Sequence, residues 1–351
     1  MKKLIHIVSS LNVGGAEKFV KNLSTEQLSQ GLNVEVVSFG ENSDTFQPTI
    51  ELAGVKVTNL KEGLFSRLIQ LLQIFITVDI IHIHSPAVIR AVFPIFPALF
   101  FKRVVYTIHG EVDPPESLIK TSHQIGWHYL NKIVAVSESA KQSVHQRYNW
   151  KSSDIDVIKN GVNVVQQSSK LVVGEKIRLG VVSRLIPLKN IPLLFSAISL
   201  MPSLLMSRID LHIFGDGPSR DEISDKAQKL ANTVEVNFYG NVIEESDIYS
   251  KFDILVVCSD TEGLPMSILE AMGYGIPVIS TDVGAISQVV VEQETGWLYP
   301  VKDVDALVDI LQTIISNPEI ISVYGEQAKI FIDEHYAISL VAADYQRIYE
   351  A

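Results

Sequence analysis

The segment Glu262-Gly263-Leu264-Pro265-Met266-Ser267-Ile268-Leu269-Glu270 carries two carboxylates eight positions apart, around a proline suited to a helix start. A helix N-terminus exposes unpaired N–H groups and partial positive charge, which suits a phosphate. Ionised carboxylates are acceptors and suit hydroxyls. A nucleotide sugar, with a diphosphate between two hydroxyl-bearing rings, offers both. Upstream, Ser183-Arg184-Leu185-Ile186-Pro187-Leu188-Lys189-Asn190 follows an apolar run. Arg184 can fork onto phosphate oxygens and Lys189 can add a point charge, although two such cations can equally be solvated. In the first half, Gly14-Gly15 stands between an apolar run and a helical stretch, where glycines permit close backbone approach. Alone, the pair reads as a turn. His109, at the end of Val104-Val105-Tyr106-Thr107-Ile108, reads by itself as a satisfied imidazole.

These residues need strands to position them. Short Val- and Ile-rich runs alternate with amphipathic helical stretches through both halves, the pattern of parallel sheets covered on both faces. Strands are expected near 4–8, 33–38, 55–57, 80–83, 104–107, 133–136 and 155–158, then near 177–182, 209–213, 234–238, 254–257 and 277–280. Ligands of such doubly wound sheets sit beyond the carboxyl ends of strands, where the residues above fall. At 351 residues the chain suits two domains, 1–168 and 169–335, with the composition shift at Gln166-Gln167-Ser168-Ser169-Lys170 as linker. A final helix is expected over 336–351.

Hydrophobic residues make up 47% of the chain and charged residues 20%, enough for two cores. The lone cysteine, Cys258, rules out an internal disulfide framework and fits a reducing compartment. Residues 1–165 hold 16 basic and 14 acidic side chains and the remainder 13 and 26, a balance that argues against general nucleic-acid binding. The stretch 87–101 contains Arg90, Pro94 and Pro97, so it makes a poor transmembrane span. It reads as a buried, proline-broken helix. The other reading is a membrane-facing patch of Phe93, Phe96, Phe100 and Phe101, joined by the amphipathic stretch Leu64–Ile76. A cytoplasmic protein is expected, with peripheral contact at the inner face of the plasma membrane as an extension. His82 and His84 show no metal-ligand companions in the sequence. Asp154-Ile155-Asp156 and Asp303-Val304-Asp305 spell Asp-x-Asp away from the phosphate residues, so no metal is expected.

The two glutamates with seven residues between them, the Gly-Leu-Pro insert, Ala271-Met272 and Gly275-Ile276-Pro277-Val278 resemble the retaining glycosyltransferases of family 4. Gly14-Gly15-Ala16-Glu17, His109-Gly110, Ser137-Glu138 and Asn160-Gly161-Val162 also match that family's pattern, while Asn163 stands in place of its aspartate and Asn190 where glycine is frequent. The resemblance implies the GT-B fold: two doubly wound parallel-sheet, Rossmann-like domains facing across a cleft, the last helix returning to the first. It implies transfer of a hexose-type sugar from a nucleotide-diphosphate sugar, a UDP-sugar favoured, to a glycan or lipid-linked acceptor in cell-surface polysaccharide synthesis. His109, Arg184, Lys189 and Glu262 would then be catalytic. Donor contacts would come from Gly14, Gly15, Gly215, Tyr239, Gly263, Leu264, Pro265, Met266 and Glu270, with Glu262 on the donor sugar, Glu270 on the ribose and no cofactor or metal. A phosphorylase, a sugar-nucleotide epimerase and a non-catalytic nucleotide-sugar-binding subunit share the fold and are the alternatives.

Overall fold

The computed structural model describes residues 2–12, 14–110, 117–165 and 174–351. The chain forms two compact units, Met1–Gly161 with Ile338–Ala351, and Val162–Ala337.

In the first unit, β1 (Lys3–Val8), β2 (Asn33–Ser38), β3 (Lys56–Asn59), β4 (Ile80–Ile83), β5 (Arg103–Ile108), β6 (Lys132–Ala135) and β7 (Ile155–Val157) form one sheet ordered β3-β2-β1-β4-β5-β6-β7. Its pairings are parallel, with His6 opposite His82 across β1 and β4. The pleat sends Ile5, Ile7, Ile81 and Ile83 to one core and Leu4, Val8, Val34 and Val36 to the other. Both faces are therefore dry. That is why these strands read as continuous apolar runs rather than alternating ones.

The second unit holds β8 (Ile177–Val182), β9 (Ile209–Phe214), β10 (Glu235–Gly240), β11 (Ile254–Val257), β12 (Val278–Thr281) and β13 (Gly296–Tyr299) in the order β10-β9-β8-β11-β12-β13. The sequence reading contains no β13. Its four residues, Gly-Trp-Leu-Tyr, offer no branched aliphatic run, and Gly296 is held by contact: a Cβ there would lie 2.2 Å from the Val278 carbonyl oxygen.

The expected linker at 166–170 lies outside the described residues. The chain joins the second unit earlier than the 168 boundary, because the Val162 N–H donates to Tyr336 O at 2.9 Å and the Val165 N–H to Gly273 O at 3.3 Å. The final helix, Ile338–Glu350, belongs to the first unit, where the Arg103 guanidinium donates twice to Ile348 O at 2.7 and 3.2 Å.

The stretch 87–101 divides. A helix over Pro86–Val92 and a 3-10 turn over Phe93–Leu99 bury Val88, Ile89, Val92, Phe96 and Leu99, whereas Phe100 and Phe101 are exposed. Prolines end the α-helical hydrogen bonding where the turn begins.

Gly180 in β8 faces Phe252 so closely that a Cβ would meet three ring carbons at 2.3–2.4 Å. Gly180→Ala is expected to lower stability by about 1–3 kcal/mol, the range for overpacked cores. Urea unfolding checks this, and Phe252→Leu in the same chain should recover part of the loss.

Candidate functional site

In the second unit, the loops leaving β8 and β11 carry the site. Arg184 follows β8, is exposed, and makes no ion pair among the described residues. A 3-10 turn, Pro187–Lys189, ends at Asn190, whose backbone is left-handed (φ 44°, ψ 38°). This explains an asparagine where glycine is frequent, since asparagine tolerates that region. The Asn190 amide donates to Asp260 Oδ1 at 3.0 Å and the Asp260 N–H to Leu188 O at 2.9 Å, tying the two loops together.

Across that tie, the Lys189 ammonium is paired with Glu262 Oε1, and the Ser259 hydroxyl donates to the same oxygen at 2.6 Å. Both ionic side chains are mostly buried, 19% and 12% exposed. The sequence reading puts Lys189 on phosphate and Glu262 on the sugar; here they hold one another. An ammonium has three donors, so Lys189 can keep Glu262 and still reach a further oxygen.

The helix Met266–Gly273 begins beside them with Pro265 as its N-cap, one position ahead of the first helical residue. Pro265 has no N–H, which leaves the amides of Leu264 and Met266 as donors at this end. A Cβ at Gly263 would meet open space, so the turn presents its backbone there. Glu270 sits one turn into the helix, 3% exposed, and accepts from the Tyr249 hydroxyl at 2.5 Å. Burial and that carboxylate push the Tyr249 phenol well above its usual range.

Gly215 (φ +112°) is pinned by backbone, since a Cβ would lie 1.9 Å from Ser183 O. Tyr239, the penultimate residue of β10, has its ring stacked 4.4 Å from Phe214 and its hydroxyl 2.9 Å from His212 Nδ1.

In the first unit, Gly14 caps the helix Gly15–Ser29 in extended backbone (φ −171°), a conformation open to any residue. A Cβ there would meet only the flexible end of Glu17. His109 follows β5 and belongs to a buried polar network on the sheet face beneath the helices Gly15–Ser29 and Ile338–Glu350. His109 Nε2 lies 3.0 Å from His84 Nδ1, His84 Nε2 lies 2.8 Å from His6 Nδ1, and His6 Nε2 lies 2.7 Å from Gln27 Oε1. The Gln27 amide donates to the Tyr349 hydroxyl at 3.2 Å. That hydroxyl lies 2.7 Å from His82 Nδ1, and His82 Nε2 lies 2.7 Å from the Thr107 hydroxyl. His109 Nδ1 is closed to water and has no hydrogen-bond partner among the described residues.

Sequence reasoning gave His82 and His84 no companions, and the fold supplies His6: ligand atoms of the three lie within 4.8 Å of one another. Every ring nitrogen of the three is nonetheless hydrogen-bonded, so a cation would have to break the network. The Asp-x-Asp segments have structural uses. Asp156 pairs with Lys132 at 3.1 Å, and Asp303 caps the helix Val304–Ser316 by accepting from the Ala306 N–H at 2.9 Å. Missed altogether were Ser259, Asp260 and Gly284, which hold the Glu262 turn, and Gln27, Tyr345 and Tyr349. Only the shared strand parity of His82 and His84 was legible.

Burial lowers His6 to about 4 and His109 to about 3, and holds His82 and His84 well below the ordinary 6.5. Between pH 6.5 and 4 the unfolded chain binds protons that the folded chain refuses, so stability falls as pH falls through that window. His6 alone should contribute a loss of about 2 kcal/mol by pH 5. Urea midpoints at pH 7 and pH 5 check this, and equal midpoints would contradict a neutral network.

Residues 165–331 match the family profile "Glycosyl transferases group 1" and residues 13–166 match "Glycosyltransferase Family 4". The chain is similar to an uncharacterized glycosyltransferase of Haemophilus influenzae, 24% identical over 361 residues that span 99% of this chain and 100% of that one. It is 22% identical over 223 residues to the poly(ribitol-phosphate) alpha-N-acetylglucosaminyltransferase of Staphylococcus aureus, covering 63% of this chain and 44% of that one. The crystal structure of Anabaena HepE in complex with UDP and glucose has the same fold, with a TM-score of 0.83 over 100% of both chains at 18% identity. With its two halves matched in tandem by these profiles, the chain belongs to the group 1 and family 4 glycosyltransferases of GT-B fold.

Proposed function

We propose that this glycosyltransferase moves a hexose-type sugar from a nucleotide-diphosphate sugar to an acceptor hydroxyl with retention of configuration. The observation that carries the reading is the convergence of an unpaired guanidinium, an ammonium–carboxylate pair and a helix start on the loops after β8 and β11, where the strand order of the second sheet reverses. As the bond from the anomeric carbon to the diphosphate oxygen breaks, charge grows on the diphosphate. Arg184, Lys189 and the Leu264 and Met266 amides are suited to stabilise it. The acceptor oxygen forms the new bond and its proton passes to the departing diphosphate, so neither a protein nucleophile nor a metal ion is required. Glu262 takes donor-sugar hydroxyls, Glu270 those of the ribose, and His109 a further sugar hydroxyl. Gly14 and Gly15 lie against donor phosphate or acceptor, and Tyr239 borders the base. The UDP bound to HepE favours a UDP-sugar, and the alpha linkage in the S. aureus relative's name favours retention. The latter's polymeric acceptor favours a cell-surface glycan.

We place the protein at the inner face of the plasma membrane. Helix Leu64–Thr77 buries Leu71 and Phe75 but turns Phe65, Ile69, Leu72 and Ile76 outward at helical spacing. Lys102 donates to Val78 O at 2.8 Å, which brings Phe101, 90% exposed, to the end of this helix. Apolar side chains beside Lys102 fit the surface of an anionic bilayer. No single helix among the described residues is long and apolar enough to cross a membrane.

A UDP-sugar should raise the melting temperature of the metal-free protein, and Arg184→Ala should weaken that binding by about 1.5–3 kcal/mol, roughly 10- to 150-fold in Kd. Calorimetric titration measures it, and equal affinity in the variant would remove Arg184 from the donor site. Glu262→Ala should abolish transfer while the fold survives. Vesicles containing phosphatidylglycerol should sediment the wild type but not Phe65→Asp/Ile69→Asp. Equal sedimentation would refute the membrane face.

A further inference from the structure

The buried network has a direction, and a single amide sets it. Gln27 lies 1% exposed in the helix Gly15–Ser29, its oxygen toward His6 and its nitrogen toward Tyr349. An amide oxygen only accepts, so the proton between Gln27 and His6 belongs to His6 Nε2. A neutral imidazole carries one proton, so His6 Nδ1 is bare and accepts from His84 Nε2 at 2.8 Å. His84 Nδ1 is then bare in turn and accepts from His109 Nε2 at 3.0 Å. In the second branch Gln27 donates to the Tyr349 hydroxyl, which also meets His82 Nδ1, while His82 Nε2 meets the Thr107 hydroxyl; a hydroxyl can donate or accept, so only the first branch has its direction set by the amide.

We infer that Gln27, His6 and His84 form a tautomer relay that holds the proton of His109 on Nε2 and leaves Nδ1, closed to water here, a bare lone pair that can accept but not donate, so that a sugar hydroxyl reaching it would have to be the donor. These three are positioning residues, since none touches the sugar. Nδ1, unpartnered among the described residues, is the end of the relay. Turning the Gln27 amide over would reverse every bond from His6 to His109 and make Nδ1 a donor. The relay also requires neutral rings, and burial keeps all three histidines so. The identity of the hydroxyl rests on the sugar-transfer reading; the tautomer does not.

The test is long-range proton–nitrogen NMR of the full chain labelled with 15N-histidine, with the His109 signals assigned by their loss in His109→Ala. A pyridine-like Nδ1 and a protonated Nε2 are expected. A protonated Nδ1, or an imidazolium, would overturn the relay. Gln27→Leu keeps the volume but removes the amide, so His109 should become a mixture of tautomers and kcat/KM with a UDP-sugar should fall roughly tenfold. If Gln27 only packs, its loss will lower the melting temperature and leave the His109 nitrogen shifts in place, which refutes its role. The nitrogen shifts need no substrate, so a failed sugar-transfer reading and a failed relay give different results.

Discussion

Glu262 is carried on a turn with no space for a side chain behind it. Gly284 sits at φ +60°, and a Cβ there would lie 2.1 Å from Glu262 O and 2.6 Å from Gly263 O. The Ala285 N–H then donates to Gly263 O at 2.9 Å and closes the contact. On the other side, the Gly215 and Gly217 turn presses equally closely on Ser183 O and Leu185 O. Backbone packed on backbone is stiff because it has no rotamers to give. The loops after β8, β9, β11 and β12 therefore hold one arrangement, and the Lys189–Glu262 pair forms as its consequence. A mostly buried pair of this kind gains little net stability, but removing one partner strands the other charge at a cost of several kcal/mol. A polar ligand that replaces or extends the pair avoids that cost, which is why such a pair suits a binding site better than it suits a core.

The first unit meets a different demand. Three histidines and a threonine on one sheet face are fully or almost fully buried, and each must find partners inside the protein. Strands cannot supply them, since their backbone groups are committed to the sheet. The helices Gly15–Ser29 and Ile338–Glu350 do, through Gln27, Tyr345 and Tyr349; Tyr345 lies 2.8 Å from the Thr107 hydroxyl. The last helix of the chain thereby completes a polar layer begun by the first strand.

Much of this was legible in the sequence for a simple reason. Parallel strands dry on both faces must be runs of apolar residues, so central strands such as β1, β4, β5, β8, β11 and β12 stand out, while Gly296-Trp297-Leu298-Tyr299 follows a contact rule that no periodicity carries. Glu262, Arg184 and Lys189 were singled out through the family pattern, because type and spacing alone left the two cations equally open to being solvated. Their pairing was not legible, because whether an ammonium meets phosphate or carboxylate depends on loop geometry across 73 residues. Gln27 and Tyr349 were illegible for the same reason: an interior helix glutamine and a C-terminal tyrosine gain meaning only when helix packing sets them against His6 and His82, 21 and 267 residues away.

The two units differ in electrostatics in a way that follows from exposure. Arg184 is exposed and a guanidinium keeps its charge at any physiological pH, so the second unit presents a cation that a diphosphate can meet. The networked histidines of the first unit, His6, His82, His84 and His109, are buried deeply enough to lose theirs, and a neutral ring has one donor and one acceptor in place of a charge. Such a ring is poorly suited to phosphate and well suited to hydroxyls, whose recognition depends on which partner holds the proton. Burial of His109 and its neighbours therefore turns rings capable of anion binding into neutral ones with one donor and one acceptor each, and the same burial underlies the acid sensitivity expected of the fold.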